Sequence, residues 1–243
     1  MNIPKTPRVL VCIPAYNEEK SITDTLHELK VDFPQADVVV INDNSSDHTA
    51  SLARSCAVAI LSLPFNLGYA GALQTGYKYA VQHGYDYVVQ FDADGQHVAA
   101  EACKLYELTM RDEDVDIYIG SRFLEKTDYP HPFFRRLGTS LFSKIIRLSC
   151  GEDISDPTSG LQVLSRRCFS AYADMYGYPD YPDANLLIDR LHAGYVIREA
   201  PVQMRVRTDG QSMHSGIFKP IRYMVLVFYA IILILLRKRA KKS

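Results

Sequence analysis

Two carboxylates one residue apart, Asp92 and Asp94, close the run Tyr87-Val88-Val89-Gln90-Phe91 and open onto Gly95-Gln96-His97. That run is apolar and β-branched, as strands buried inside a parallel sheet are. The carboxyl end of such a strand is where open α/β sheets hold ligands. Carboxylate oxygens suit a hard divalent cation, Mg2+ or Mn2+, which takes one or two carboxylates and completes its shell with phosphate oxygens and water. The pair reads as a metal–diphosphate site, set against the plainer reading of an acidic, solvated turn.

Three other strand ends carry polar clusters. They are Pro14-Ala15-Tyr16-Asn17-Glu18-Glu19, Asn42-Asp43-Asn44-Ser45-Ser46-Asp47 and Asn66-Leu67-Gly68-Tyr69-Ala70-Gly71. In a parallel sheet these loops share one rim and can converge on one ligand. Asp43 could accept an N–H from a base, and Glu18 a ribose hydroxyl. Gly68 and Gly71 would let backbone approach a ligand, or let a helix pack closely. Ser46 and Asp47 are equally good caps for a following helix. The fingerprint G-x-G-x-x-G is absent after the first strand, which disfavours dinucleotide binding.

The elements that position these residues alternate. Strands are expected at Arg8–Ile13, Asp37–Ile41, Val58–Ser62, Asp86–Phe91 and Asp116–Gly120. Helices are expected at Glu18–Val31, Thr49–Cys56, Gly68–Gln82 and Ala99–Arg111. Such alternation implies an α/β fold whose mostly parallel sheet is covered on both faces. Further on, Phe133–Leu148 reads as a helix, Asp156–Gly160 as a turn-rich loop and Leu161–Leu164 as a short strand. A loop with Asp180 and Asp183 leads into a helix ending near His192, and Tyr195–Arg207 alternates like the edge strand of a mixed sheet.

The chain has 243 residues and a net charge of −1, which gives no case for nucleic acid as a partner. The charge is unevenly placed: from Arg205 onward there are nine Lys/Arg against one Asp. The basic end includes a run of about 14 apolar residues, Tyr223–Leu236, followed by Arg237-Lys238-Arg239-Ala240-Lys241-Lys242. As a helix the run reaches roughly 21 Å against a hydrocarbon core of about 30 Å, short for a span. Being apolar on all faces, it is expected to associate with a membrane; the alternative is a terminal helix packed on the core. The expected division is a catalytic domain over 1–215 and a membrane-associated helix over 216–243. No apolar stretch near Met1 suggests a signal peptide. The five scattered cysteines suit reduced thiols in the cytosol.

In order and spacing, the four strand-end motifs resemble those of family 2 glycosyltransferases. Gly120-Ser121-Arg122, Asp156-x-x-Ser159-Gly160 and Arg207-x-x-Gly210-x-Ser212 resemble the polyprenyl-phosphate branch of that family, the dolichol-phosphate mannose synthase-like enzymes. The resemblance covers about residues 8–215. It implies a Rossmann-like, A-type glycosyltransferase fold. It also implies a nucleotide-sugar donor, UDP- or GDP-linked, and a polyprenyl phosphate acceptor at the cytoplasmic face of the cell membrane. By position, Pro14, Tyr16, Glu18, Asp43, Asn66, Gly68 and Gly71 would form the donor-binding rim. Asp92, Asp94 and Gln96 would hold metal and diphosphate, and Arg122 and Arg207 would face phosphates. Arg135, Arg136, Arg205 and Ser212 would lie on the acceptor side, and Asp156 would orient the acceptor loop or act as base. The chain departs from the family at Asn42 (usually Asp), Asn44 (usually Gly) and Met213 (usually Lys).

The implied reaction is a single displacement at the anomeric carbon, with inversion, promoted where charge develops on the leaving diphosphate. A lipid phosphate is already anionic and needs cationic steering more than a base. A small membrane-protein partner and a homo-oligomer are both compatible with the short tail. Three rival readings remain: a nucleotidyltransferase, which would want a Gly-rich basic loop after the first strand; a non-catalytic glycosyltransferase-like partner; and an enzyme that elongates a polysaccharide.

Overall fold

The computed structural model describes residues 7–125, 133–206 and 218–240. Seven strands form one sheet in the order β3-β2-β1-β4-β6-β5-β7. These are β1 (Val9–Ala15), β2 (Asp37–Asn42), β3 (Ala59–Ser62), β4 (Tyr87–Gln90), β5 (Ile117–Ser121), β6 (Gln162–Ser165) and β7 (Ile197–Pro201). All run parallel except β6, which is antiparallel to both β4 and β5. The sheet is therefore mostly parallel and mixed, as expected, and the reversed strand lies inside it. β7 sits at the edge, as its alternating sequence suggested. Because β6 runs backwards, the loop preceding it lies on the same rim as the carboxyl ends of the other strands.

Alternate residues along each strand feed opposite faces. Leu10, Cys12, Val39, Ile41, Val88 and Leu164 enter a core with α3 (Gly68–Gln82), α5 (Phe133–Cys150), α6 (Arg166–Ala173) and α7 (Ala184–His192). Val9, Val11, Ile13, Val40, Val89 and Val163 meet α1 (Ile22–Asp32) and α4 (Ala99–Arg111) on the other side. The helix α2 (Thr49–Ser55) follows β2. Gly76 of α3 rides directly over β1, where a Cβ would lie 1.9 Å from Cys12 Sγ. This approach fixes α3, and the loop before it, against the strand.

Three local expectations change. α1 begins at Ile22 rather than Glu18, because Asn17 adopts a left-handed φ of 55° and residues 18–21 form a turn. α6 was not expected; Ser165 starts it by accepting the Cys168 N–H on its side chain. The tail is α8 (Phe218–Ala240), and among the described residues no helix is long and apolar enough to cross a membrane. Nor does α8 offer apolar surface on every side. Val227 and Ile231, one turn apart, are buried in the core beside Phe142, whereas Val225, Tyr229, Ile232, Leu233 and Leu236 are exposed. The alternative of a core-packed terminal helix thus holds for one of its faces.

Candidate active site

The rim is laced together by backbone–side-chain bonds. The Asn17 N–H donates to Ser45 Oγ at 3.1 Å, and the Ser46 N–H returns to Asn17 Oδ1 at 2.8 Å. The Glu18 N–H donates to Thr49 Oγ1 at 2.8 Å. Asp47 accepts the Thr49 N–H at 2.9 Å and the Glu19 N–H at 3.2 Å, so it organises the start of α2, as its residue type allows. Asn44 stands in the left-handed region at φ 59°, which Asn tolerates better than most side chains, and so replaces the usual glycine. Pro14 is buried below this loop and Tyr16 is exposed above it.

Asp43, at 3% exposure, ties the next loop. Its Oδ1 accepts the Leu67 N–H at 2.6 Å and its Oδ2 the Gly68 N–H at 2.8 Å, at the start of α3. Burial raises the pKa of its carboxyl, and these two bonds pull it back. Asn66 donates to the Asp43 carbonyl and accepts the Gly68 N–H. Gly71 shows the packing alternative. A Cβ there would lie 2.6 Å from Leu67 Cβ, so its missing side chain answers a packing need one turn back.

Asp92 and Asp94 follow β4 at the centre of the rim. Asp94 Oδ1 accepts the Gln96 N–H at 3.0 Å, closing a turn through Gly95. Asp92 Oδ1 accepts the Tyr69 hydroxyl at 3.0 Å, and the Asp92 N–H donates to His97 Nδ1 at 2.9 Å. His97 is buried edge-on to Phe91. Burial, opposed by the Asp94 charge and helped by that of Arg122, lowers its pKa from the usual 6.5 to about 4. The ring is therefore neutral at pH 7, and accepting on Nδ1 puts its proton on Nε2.

Arg122 and Asp156 form the far wall. Arg122 Nε and Nη2 reach the two Asp156 oxygens at 2.7 and 2.8 Å, and the Arg122 N–H adds a third bond at 3.1 Å. Arg122 is 7% exposed and Asp156 fully buried. The expectation that Arg122 opens its fork to phosphate is thus corrected: a buried guanidinium needs a counter-charge, and the adjacent loop supplies one. Asp156 orients that arginine; its burial leaves it no exposed base position. Glu199 of β7 secures the loop, accepting the Ser155 and Asp156 N–H groups at 2.6 and 2.8 Å. Neither the role of Glu199 nor that of Tyr69 carried a spacing signal in the sequence, and His97 stood within the Asp92–His97 motif without a role assigned to it.

Of the acceptor-side cations, Arg205 turns away: Nη1 and Nη2 reach Glu28 at 2.5 and 3.1 Å. Its N–H donates to the Gln96 carbonyl at 2.8 Å, which places this segment beside the metal-type turn. Arg136 is exposed on α5. The side chain of Arg135, and Arg207 and Ser212, lie outside the described residues.

The donor chemistry fits a hard cation. Among the described residues no group of three or more His, Cys, Asp or Glu is placed to cage a metal. Two carboxylates on one turn suit a cation that draws its remaining ligands from a diphosphate and water.

This mixed sheet, with its two carboxylates at the β4 end, defines the nucleotide-sugar glycosyltransferases of the A-type, Rossmann-like fold. The chain belongs to glycosyl transferase family 2, whose model matches residues 10–172. It is 31% identical to the undecaprenyl-phosphate mannosyltransferase of Micrococcus luteus over 219 residues, covering 86% of this chain and 88% of the relative. It is 28% identical to the polyprenol monophosphomannose synthase of Mycolicibacterium smegmatis over 222 residues, covering 87% and 82%. In fold it resembles glucosyl-3-phosphoglycerate synthase from Mycobacterium tuberculosis in complex with Mn2+, UDP and phosphoglyceric acid. The TM-score is 0.66 at 14% identity, covering 94% of this chain and 78% of that one. The protein is a nucleotide-sugar-dependent glycosyltransferase.

Proposed function

We propose that the protein transfers a hexosyl group from a nucleoside diphosphate sugar to a polyprenyl phosphate at the cytoplasmic face of the membrane, inverting the anomeric centre. The observation that carries this reading is the convergence of Asp92, Asp94 and the Asp156–Gly160 loop on one rim, in a chain whose relatives are named for polyprenyl phosphate substrates. Asp92, Asp94 and Gln96 would hold a divalent cation, which stabilises negative charge on the departing diphosphate. Asp43, by fixing the Asn66–Gly68 loop, shapes the nucleoside side. The Arg122–Asp156 pair holds the opposite wall rigid, so the acceptor phosphate meets a preformed surface. That phosphate is an anion and attacks without a base.

The surface beside the rim suits a lipid substrate. Leu137, Leu141 and Leu148 of α5 are exposed at helical spacing, with Arg136, Lys144 and Arg147 among them. α5 packs on α8 through the Phe142 and Phe228 rings, 5.5 Å apart. The exposed apolar side of α8 continues in sequence into Arg237–Lys242. Each such cation contributes roughly 1 kcal/mol near an anionic membrane surface. The test uses a short, soluble prenyl phosphate with an α-linked nucleotide sugar, the product anomer being read by NMR. A β-linked phosphodiester is expected. An α-linked product refutes the single displacement.

A further inference from the structure

Tyr69 lies in the first turn of α3, one residue beyond the loop that Asp43 fixes, and nothing in its sequence position ties it to the carboxylates on β4. In space its hydroxyl donates to Asp92 Oδ1 at 3.0 Å. The other Asp92 oxygen faces Gly160. A Cβ built on Gly160 would lie 3.0 Å from Asp92 Oδ2, 3.4 Å from the Tyr69 hydroxyl and 3.5 Å from His97 Cε1. Loop, phenol and imidazole thus close around one carboxylate, and Gly160 carries no side chain at the point where all three meet.

We propose that Tyr69 and Gly160 are positioning residues that lock the plane of the Asp92 carboxylate for metal–diphosphate binding. The inference rests on the proposed ligand role of Asp92 and adds what sets its orientation. An aspartate at a strand end rotates freely about its last torsion unless both oxygens are constrained. A donor on Oδ1, His97 Nε2 at 3.6 Å from Oδ2 and less than a methyl's room between Oδ2 and Gly160 narrow that freedom before any ligand arrives. Removing a hydrogen bond that orients a metal ligand costs about 10–100-fold in metal affinity or activity.

The experiment measures Mn2+ binding by the full chain in the presence of UDP, and separately GDP, by loss of the free Mn2+ electron paramagnetic resonance signal. It compares wild type, Tyr69→Phe, Gly160→Ala, Asp92→Asn and Tyr69→Phe/Asp92→Asn. Tyr69→Phe should raise half-saturating Mn2+ about tenfold or more, with the melting temperature nearly unchanged. Gly160→Ala should act in the same direction, by pressing on Asp92 Oδ2. In the Asp92→Asn background the further effect of Tyr69→Phe should vanish, because the oriented carboxylate is gone. If Asp92→Asn abolishes binding while Tyr69→Phe leaves half-saturation within about twofold of wild type, the positioning role is wrong and the ligand role of Asp92 stands. If Asp92→Asn binds Mn2+ like wild type, or wild type binds none with either nucleotide, the reading beneath the proposal falls as well. Should Gly160→Ala fail to fold, the Tyr69→Phe comparison decides alone.

Discussion

Replacing Asp156 with alanine tests the wall of the site most severely. The substitution removes the acceptor of three bonds from Arg122, at 2.7, 2.8 and 3.1 Å, and leaves a guanidinium that is 7% exposed without its counter-charge. Breaking a buried pair from one side costs about 3–5 kcal/mol. Against a typical domain stability of about 5–15 kcal/mol, that is about a fifth of the total or more. For a chain of this size each kcal/mol moves the melting temperature by about 2–4 °C, so a drop of about 6–20 °C is expected. The assay is thermal unfolding followed by circular dichroism, with guanidinium unfolding as a check. Arg122→Met/Asp156→Leu should recover much of the stability, since apolar replacement of both partners is often neutral, yet should not recover transferase activity. An Asp156→Ala variant melting within about 2 °C of wild type would refute the reasoning, because it would mean that the pair is solvated.

Other outcomes follow from individual contacts. Asp94→Ala should lower turnover about 10²–10³-fold in a folded protein, with Asp92→Ala close behind and a chelator acting likewise; retention of more than about a tenth of wild-type activity argues against the assignment. Asp43→Ala should raise the donor KM more than it lowers kcat, because it releases the Leu67 and Gly68 N–H groups that shape the nucleoside side; steady-state kinetics separates the two. Gly76→Val should destabilise by about 1–3 kcal/mol or more through contact with Cys12 Sγ, and Cys12→Ala should restore part of the loss in the same unfolding assay. Burial pushes the Cys12 and Cys168 thiols up to about 12, so iodoacetamide should label Cys56 ahead of both in the native state, as read by peptide mass spectrometry.

The legible part of the molecule was the part governed by local pattern. The strand-end motifs stood out because polar clusters interrupt apolar runs, and α3 and α4 were bounded in sequence where the structure bounds them. Direction was not legible. Nothing in Gln162–Ser165 says that it pairs antiparallel between β4 and β5, and that reversal is what carries Asp156 and Gly160 to the rim. Partners from distant segments were equally silent. Asp156 looked like a turn residue or a base, but its charge is matched by Arg122, thirty-four positions earlier. Arg205 looked like a free cation until Glu28, from α1, met it. The tail was legible only in composition: it is apolar throughout, but which side meets the core depends on α5 and Phe142, which composition does not contain.

The most direct test of the central claim is product formation from radiolabelled nucleotide sugars, UDP- and GDP-linked, on membranes supplied with undecaprenyl phosphate, with and without chelator, for wild type and Asp94→Ala. The account predicts label in the organic phase for at least one donor, as a mild-acid-labile sugar phosphodiester, lost with chelator and with Asp94→Ala. Label that stays in water-soluble glycan, or an organic-phase product that survives Asp94→Ala, would contradict it.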